Sequence, residues 1–392
     1  MAIFYILYLF IIHIFQQLPT LNHLFYPKKL MPLVICRRMT KHHLHRWPTY
    51  LLLGCLALLF YACTPNISPS QHQITLGHYL FFDKRLSLNR SKSCASCHSP
   101  ELAFTDGYRT SITPLGEMLR HNAPSLLNIQ DHTYFDWANP RVRTLTQQMR
   151  RPLYGHMPVE LGLDQHIQAL QAQFQQDSFY APIFKKAFPE ASQWATQTQI
   201  EAALFAYEQQ LQSRRSLYDL HQLDSIAVRG EKLFMSSELN CSECHRPPDF
   251  TLANQTDAID SVFQNIGIYP VNNPNDSGIA NTTHQEKDRG KYKIPSLRNV
   301  ALTAPYMHDG SLQNLNQVID LYARGGQLIS QGPYAGDGAT HPQKSNLIKG
   351  FSITATQRNE LIHFLESLTD TSYLQNPLFT DPWPTQLPSS GY

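Results

Sequence analysis

Two short stretches of the sequence carry cysteine and histidine at a spacing that suits the attachment of a metal cofactor. Each stretch has two cysteines three positions apart and a histidine directly after the second one, which is the attachment signature of a c-type haem. In this chemistry the thiols bond to the haem vinyl groups and the histidine ligates the iron. The sequence therefore predicts two covalently bound haems c. The six residues are Cys94, Cys97, His98, Cys241, Cys244 and His245.

Zinc binding and thiol redox chemistry are the alternatives for these two stretches. A structural zinc site places its histidine three to five residues from another ligand, whereas His98 and His245 directly follow a cysteine. A thioredoxin-like pair of cysteines needs no histidine beside it. The doubled motif therefore favours haem over both alternatives.

The composition is that of a globular protein with room for two domains. The chain has 392 residues, of which 42% are hydrophobic and 16% are charged. Its net charge of +2 gives no sign of nucleic-acid binding or of a strongly acidic partner. Because 26 prolines stand against 18 glycines, we expect long irregular connections between short helices.

The first 63 residues resemble an export leader rather than part of the fold. A basic start is followed by an apolar stretch over residues 50–62 and then by Cys63, which predicts a lipoprotein signal with acylation at this cysteine. Cys55 fits the lipobox letters better but leaves too short an apolar run before it. Translation is expected to start at Met39, and a further membrane helix in residues 1–38 is the alternative. The leader places the protein on the periplasmic side of the cell envelope, attached by a lipid anchor.

The sequence around the two motifs predicts two tandem domains, each of which positions one motif. We expect a mainly α fold with two cytochrome c-like haem domains and long loops, at residues 64–220 and 221–392. Each domain opens with a helix, then Leu-Phe, a short loop and the haem motif, which is typical of a distant repeat. An apolar stripe predicts a helix at residues 196–211, and Thr354 is expected to cap a closing helix.

Several longer stretches resemble the di-haem cytochrome c peroxidase and MauG superfamily between about residues 73 and 370. They are LGHYLFFDKRLS, SCASCHSPELAFTDG, HNAPSLLN, KIPSLRNVALTAPYMHDGS and LYARGG. The middle stretch WANPRVRTLTQQMRRPLYGHMPVELG is most similar to the MbnH-like branch, whose members oxidise a partner protein. The resemblance implies an enzyme that reacts with hydrogen peroxide.

For the haem on the first motif, the resemblance implies an open iron face with an acid/base beside it. The distal histidine of the peroxidases falls at or near Pro114 here, and the nearest histidine is His121, as a conditional ligand or as an ordinary loop residue. Glu160 matches the acid/base that moves a proton between the two peroxide oxygens. Gln148 and Pro152 match residues that line the same pocket. A carboxylate at a helix start is the alternative reading of Glu160.

For the haem on the second motif, the resemblance to MauG implies Tyr322 as the second iron ligand. Met307 is the other candidate, and packing of Tyr322 on a helix face beside Leu321 is the structural alternative. An anionic oxygen ligand favours higher oxidation states, whereas a thioether raises the haem potential. Trp137 matches the tryptophan that passes oxidising equivalents between the haems, with an ordinary core tryptophan as the alternative.

The resemblance also implies a calcium ion between the two domains. The matching ligands are the side chain of Asn122 and the main-chain oxygens of Thr303 and Pro305, a set that suits calcium when waters complete it. An empty structural loop is the alternative.

Three functions remain open from the sequence. The first is an exported di-haem peroxidase that uses hydrogen peroxide to oxidise a partner protein. The second is a cytochrome c peroxidase that detoxifies hydrogen peroxide with electrons from a small cytochrome or cupredoxin. The third is a non-catalytic di-haem electron-transfer protein. Tyr322 and the absent distal histidine favour the first function.

Overall fold

The computed structural model describes residues 69–273 and 277–383, and this part of the chain is built mainly from α-helices. The expected mainly α fold is confirmed. The helices are α1 (Gln71–Phe82), α2 (Leu145–Tyr154), α3 (Ile167–Gln176), α4 (Tyr180–Ala187), α5 (Gln197–Glu208), α6 (Ser225–Phe234), α7 (Cys241–Cys244), α8 (Ile259–Val262), α9 (Ala280–Thr283), α10 (Leu315–Arg324) and α11 (Ala355–Glu366). None of these described helices is long and apolar enough to cross a membrane. The leader predictions, including Met39, Cys55 and Cys63, lie outside the described residues.

Within residues 69–273 and 277–383, strands form two small antiparallel pairs. β1 (Phe263–Gln264) pairs with β2 (Tyr292–Lys293), with Phe263 opposite Lys293. β3 (Leu328–Ile329) pairs with β4 (Gly336–Asp337). Short 3₁₀ turns fill many of the connections, at Lys84–Leu86, Cys94–Ser96, Pro100–Leu102, Ile129–Asp131, Leu163–Gln165, Glu286–Asp288, Val300–Leu302, Gly338–Thr340, Ser372–Gln375 and Pro377–Phe379.

Four of the described helices, α1, α2, α5 and α11, begin at capping boxes that are visible in the sequence. Ser70, Thr144, Thr196 and Thr354 each accept a hydrogen bond from the backbone of a glutamine three residues later, and that glutamine reaches back to the cap. Two otherwise unpaired N–H groups are satisfied at each start, which fixes where the helix begins. The helices expected after Thr196 and Thr354 are therefore confirmed.

A close helix pair frames each haem motif. In the first half α1 packs on α5, and a Cβ atom at Gly77 would come within 1.9 Å of the Ala203 carbonyl oxygen. In the second half α6 packs on α11, and a Cβ at Gly230 would come within 1.9 Å of the Glu360 carbonyl oxygen. Only glycine permits such an approach of two helix backbones. The two halves therefore repeat the same helix contact.

A Pro-Ser-Leu-x-Asn segment repeats in the same way. Its asparagines, Asn128 and Asn299, have φ of 60° and 59° and precede a 3₁₀ turn. Their N–H groups donate to the carbonyls of Leu211 and Leu368, just beyond α5 and α11. The expected distant repeat thus extends well past the haem motifs, while the boundary at residue 220 stays a prediction.

Ser213 lies where the two repeats meet. Its N–H donates to the side chain of Asn128 at 3.0 Å, and its hydroxyl receives a hydrogen bond from the Asn299 amide at 2.8 Å. The same hydroxyl donates to Asp370 at 3.1 Å. Because Ser213 is only 1% exposed, these bonds are shielded from water.

Candidate functional site

Both haem motifs fold into one tight turn that presents their histidine. The 3₁₀ turn Cys94–Ser96 and helix α7 each end with a backbone bond from the histidine N–H to the carbonyl of the first cysteine, at 2.9 Å in both cases. His98 Nδ1 lies 2.8 Å from the Phe104 carbonyl, and His245 Nδ1 lies 3.1 Å from the Phe250 carbonyl. In each ring one nitrogen is used to orient the imidazole, which leaves Nε2 for iron.

The orienting carbonyls belong to two buried phenylalanines with unusual backbone. Phe104 and Phe250 have φ of 59° and 52°, a region that large side chains rarely occupy. Both side chains are fully buried, so packing compensates for the backbone cost. The matching strain in the two halves indicates that it serves the shared task of holding each histidine ring.

Burial keeps the motif side chains in their neutral forms. It lowers the pKa of His98, and it lowers the pKa of His245 to about 4. It also raises the pKa of Cys241 to about 12 and that of Cys244 to about 11. All four motif cysteines are free of disulfides, which leaves their thiols for thioether bonds. Neutral imidazoles and unpaired thiols at this spacing fit the attachment of haem.

A large, mostly apolar cavity adjoins the second motif and contains both candidate ligands. Cys241, Cys244 and His245 line one part of it, and Tyr322 and Met307 also line it. The pKa of the Tyr322 phenol is raised, first by burial and then by Cys244 and Cys241, so the phenol lies near both thiols. The cavity can therefore hold a haem between His245 and a second ligand.

Glu160 lies beside the first motif and is tied to helix α2. Burial is the main cause that raises the pKa of Cys97, and the Glu160 carboxyl adds a smaller contribution, which indicates that the two side chains are near each other. The neighbouring Leu161 N–H donates to the Pro152 carbonyl at 2.9 Å. Gln148 lies one turn before Pro152 on the same face of α2. The structure thus brings together the three residues expected around the peroxide.

The electrostatics of this group suit proton transfer. Burial raises the pKa of Glu160, Asp136 raises it further, and Arg151 opposes both. Arg151 is itself held by Asp136, at 2.9 Å between Nε and the carboxylate. The side-chain amide oxygen Oε1 of Gln148 is buried and has no hydrogen-bond partner in the described part of the chain. An unpaired acceptor beside a carboxyl with a raised pKa is a place for a small polar substrate.

Trp137 connects the Glu160 group to the second cavity. Its indole N–H donates to the Asn122 carbonyl at 2.9 Å, and its own carbonyl receives the Lys293 N–H at 2.9 Å. The preceding residue, Asp136, binds Arg151 beside Glu160, while Trp137 itself lines the second cavity. This placement fits the role expected for it between two haems.

The three expected calcium residues lie around the same cavity. Asn122, Thr303 and Pro305 all line it. The Asn122 amide donates to the Tyr108 carbonyl at 2.9 Å, which leaves its Oδ1 as an acceptor for a cation. No group of three or more His, Cys, Asp or Glu side chains suited to a metal occurs in the described residues, and the expected set draws on amide and main-chain oxygens instead.

His121 packs in an aromatic cluster rather than alone in a loop. Its ring lies 5.9 Å from that of Tyr292 and 6.0 Å from that of His308, two residues that line the second cavity. Burial lowers its pKa. At Pro114 the carbonyl accepts a hydrogen bond from the Asn89 side chain at 2.8 Å.

Sequence reasoning missed three buried ionisable residues at the haem sites. Burial raises the pKa of Cys94, and Glu208 at the end of α5 raises it further. Burial also raises the pKa of Glu208 itself to about 8. His132 and Lys293 line the second cavity. Polar neighbours such as Gln209, Asp131 and Lys291 adjoin them in the sequence, so no local pattern marks them as buried.

Comparisons with known proteins agree with this geometry. The family described as di-haem cytochrome c peroxidase matches residues 71–225. MauG of Methylorubrum extorquens is 30% identical over 311 residues, which cover 78% of this chain and 80% of MauG. Cytochrome c551 peroxidase of Nitrosomonas europaea is 32% identical over 259 residues, which cover 64% of this chain and 72% of that protein.

The chain therefore belongs to the di-haem cytochrome c peroxidase and MauG family. It is a haem peroxidase with two haems c. A solved structure of a MauG-like protein associated with microbial copper homeostasis has a TM-score of 0.77 and 39% identity, over 82% of this chain and 96% of that one. Among solved folds, the di-haem peroxidase BthA from Burkholderia thailandensis has a TM-score of 0.59. The expected family, fold class and enzyme class are confirmed.

Proposed function

We propose that this peroxidase uses hydrogen peroxide to oxidise residues of a partner protein. The observation that carries the proposal is the buried phenol of Tyr322 near Cys241 and Cys244, inside the cavity of the second haem motif. A tyrosinate ligand would hold the second iron at a low potential, which makes it a poor acceptor for routine electron delivery. The same ligand favours storage of an oxidising equivalent until a protein substrate supplies electrons.

The residues of the first site would prepare the peroxide. When bound, the haems supply the iron at which peroxide is reduced. His98 would ligate the first iron through Nε2 while Phe104 holds its ring. Glu160 would take the proton from the inner peroxide oxygen and deliver it to the outer one, and a carboxyl with a raised pKa suits both steps. The unpaired Gln148 oxygen would accept a hydrogen bond from the substrate.

Trp137 would transfer electrons between the two sites. An indole is readily oxidised, and this one is held by a hydrogen bond from its N–H to Asn122. Asn122 would also bind the calcium ion, with the main-chain oxygens of Thr303 and Pro305. Calcium would thereby fix the residue that orients Trp137.

The setting of the enzyme is part of the proposal. The leader would export the chain to the periplasmic side of the envelope, with a lipid anchor on Cys63. The similarity to a MauG-like protein associated with microbial copper homeostasis supports an exported copper-binding protein as the substrate.

The test compares two reductants with the purified di-haem protein and peroxide. One is a reduced small c-type cytochrome, and the other is an exported copper-binding protein. We expect oxygen atoms to be added to aromatic residues of the second protein, as seen by mass spectrometry, and slow oxidation of the first. Tyr322→Met should reverse this preference. Rapid turnover of the cytochrome by the wild type, with no modified protein, would support peroxide detoxification instead.

A further inference from the structure

Two buried basic side chains face the second cavity without a protein partner. His132 is 7% exposed, and neither of its ring nitrogens has a hydrogen-bond partner in the described residues. Lys293 is 6% exposed, and its ammonium makes no hydrogen bond or ion pair there. Both residues line the cavity. Burial lowers the pKa of His132 and Lys293 lowers it further, so the two groups lie near each other.

Such a pair requires an explanation because buried polar groups are normally hydrogen-bonded and buried charges are normally paired. Burial lowers the pKa of Lys293 to about 8, and only Asp136 opposes this effect. Asp136 is already bound by Arg151 at 2.9 Å and by the Ala138 N–H at 2.8 Å. The carboxylate that raises the pKa of Lys293 is thus bound to other groups.

Neighbouring aromatic groups do not replace the missing partner. The Lys293 ammonium lies 5.9 Å from the centre of the Trp137 ring, at the outer limit of a cation–π contact. Its backbone is fixed by the Trp137 carbonyl and by pairing with Phe263 across β1 and β2. The main chain therefore holds the lysine at the cavity wall, and its ammonium has no counter-charge among the described residues.

The cavity itself implies the partner. A haem attached at Cys241 and Cys244 brings two propionate carboxylates into a mostly apolar space, and each needs a donor or a counter-charge. We propose that His132 and Lys293 bind the propionate carboxylates of this second haem. The inference rests on the proposed haem site at the second motif and deepens it.

This contact would also act on Trp137. An unneutralised ammonium 5.9 Å from the indole would oppose its oxidation by charge repulsion. A propionate bound to Lys293 removes that opposition, and the Trp137 carbonyl keeps the lysine in register with the indole. Lys293 would therefore act as a positioning residue between the haem carboxylates and Trp137.

The experiment measures the midpoint potential of the second haem by spectroelectrochemical titration of the di-haem protein. Lys293→Met should lower it, because losing a positive charge favours the ferric form. We expect about a tenfold change in the redox equilibrium, which is about 59 mV for one electron. Lys293→Arg should retain most of the wild-type value. His132→Phe should also lower the potential, by a smaller amount, and it carries the test if the Met variant does not retain two haems.

Lys287→Met is the matched control, because Lys287 is exposed and lies on the same segment of chain. Infrared difference spectra of the haem carboxylates give a second readout, in which Lys293→Met should shift the propionate bands. The inference would be overturned if Lys293→Met changed the midpoint potential and the carboxylate spectrum no more than Lys287→Met does. The measurement needs no partner protein, so absence of partner oxidation would leave it standing. Loss of the proposed haem site itself would appear as a protein with one haem.

Discussion

Replacing Glu160 with glutamine tests the acid/base assignment most directly. Glutamine keeps the size and hydrogen bonding of the side chain but cannot exchange the peroxide proton. A positioned acid/base usually contributes 10²- to 10⁴-fold, or about 2.7–5.4 kcal/mol of barrier. Burial and Asp136 raise the pKa of Glu160, and Arg151 opposes this rise. Proton transfer is most efficient when the pKa of the acid/base lies near the pH at which the enzyme operates. We therefore expect a slowing of about 10³-fold, or about 4 kcal/mol.

The assay is stopped-flow absorbance of the ferric enzyme mixed with peroxide, over a range of pH. The base form of Glu160 is lost as pH falls through its raised pKa, so the wild-type rate should decline at a pH above the ordinary value of 4.5. The Glu160→Gln variant should lack this decline. Glu117→Gln, which changes an exposed carboxylate in the loop after the first motif, should behave as the wild type. A Glu160→Gln rate equal to wild type would refute the assignment.

Four further predictions address ligands, cofactors and stability. Tyr322→Met should raise the potential of the second haem by on the order of hundreds of millivolts, as seen by redox titration; an unchanged value with Tyr322→Phe would exclude this ligand. Replacing Cys241 and Cys244 by alanine should halve the covalent haem measured after acid-acetone extraction, and zinc without haem would contradict the motif assignment. A strong chelator should slow turnover and alter the spin state of the first haem without releasing haem; spectra indifferent to it would leave Asn122 with a structural role. Because the Glu208 pKa rises from 4.5 to about 8 on folding, wild-type stability should fall as pH rises through that window, by about 5 kcal/mol at most. Glu208→Gln should therefore unfold at a higher urea concentration than wild type above pH 8 but not below pH 4.5. Identical urea unfolding curves for the two proteins at both pH values would show that the carboxyl is not desolvated.

Local signals predicted the helix starts and the motifs well. The Thr354 and Gln357 side chains satisfy the first N–H groups of α11 from within four residues of sequence, so nothing distant is needed to place that start. The two haem motifs are equally local, since one turn of chain brings each histidine back to its first cysteine.

The contacts of the second cavity could not be predicted in this way. Trp137 and Lys293 meet through a backbone bond between distant parts of the chain, and no local pattern indicates that pairing. Tyr322 and Met307 line the same cavity, so residue type and spacing alone could not choose between them. Only the resemblance favoured Tyr322, and its proximity to both thiols now supports it.

The junction at Ser213 limits how the two halves can move. Because Asn128 belongs to one repeat and Asn299 and Asp370 to the other, a hinge rotation between the repeats would break the Ser213 bonds to at least one of them. Because these bonds are buried, water could not replace them during such a motion. The distance between the two motif histidines, His98 and His245, should therefore change little through the catalytic cycle.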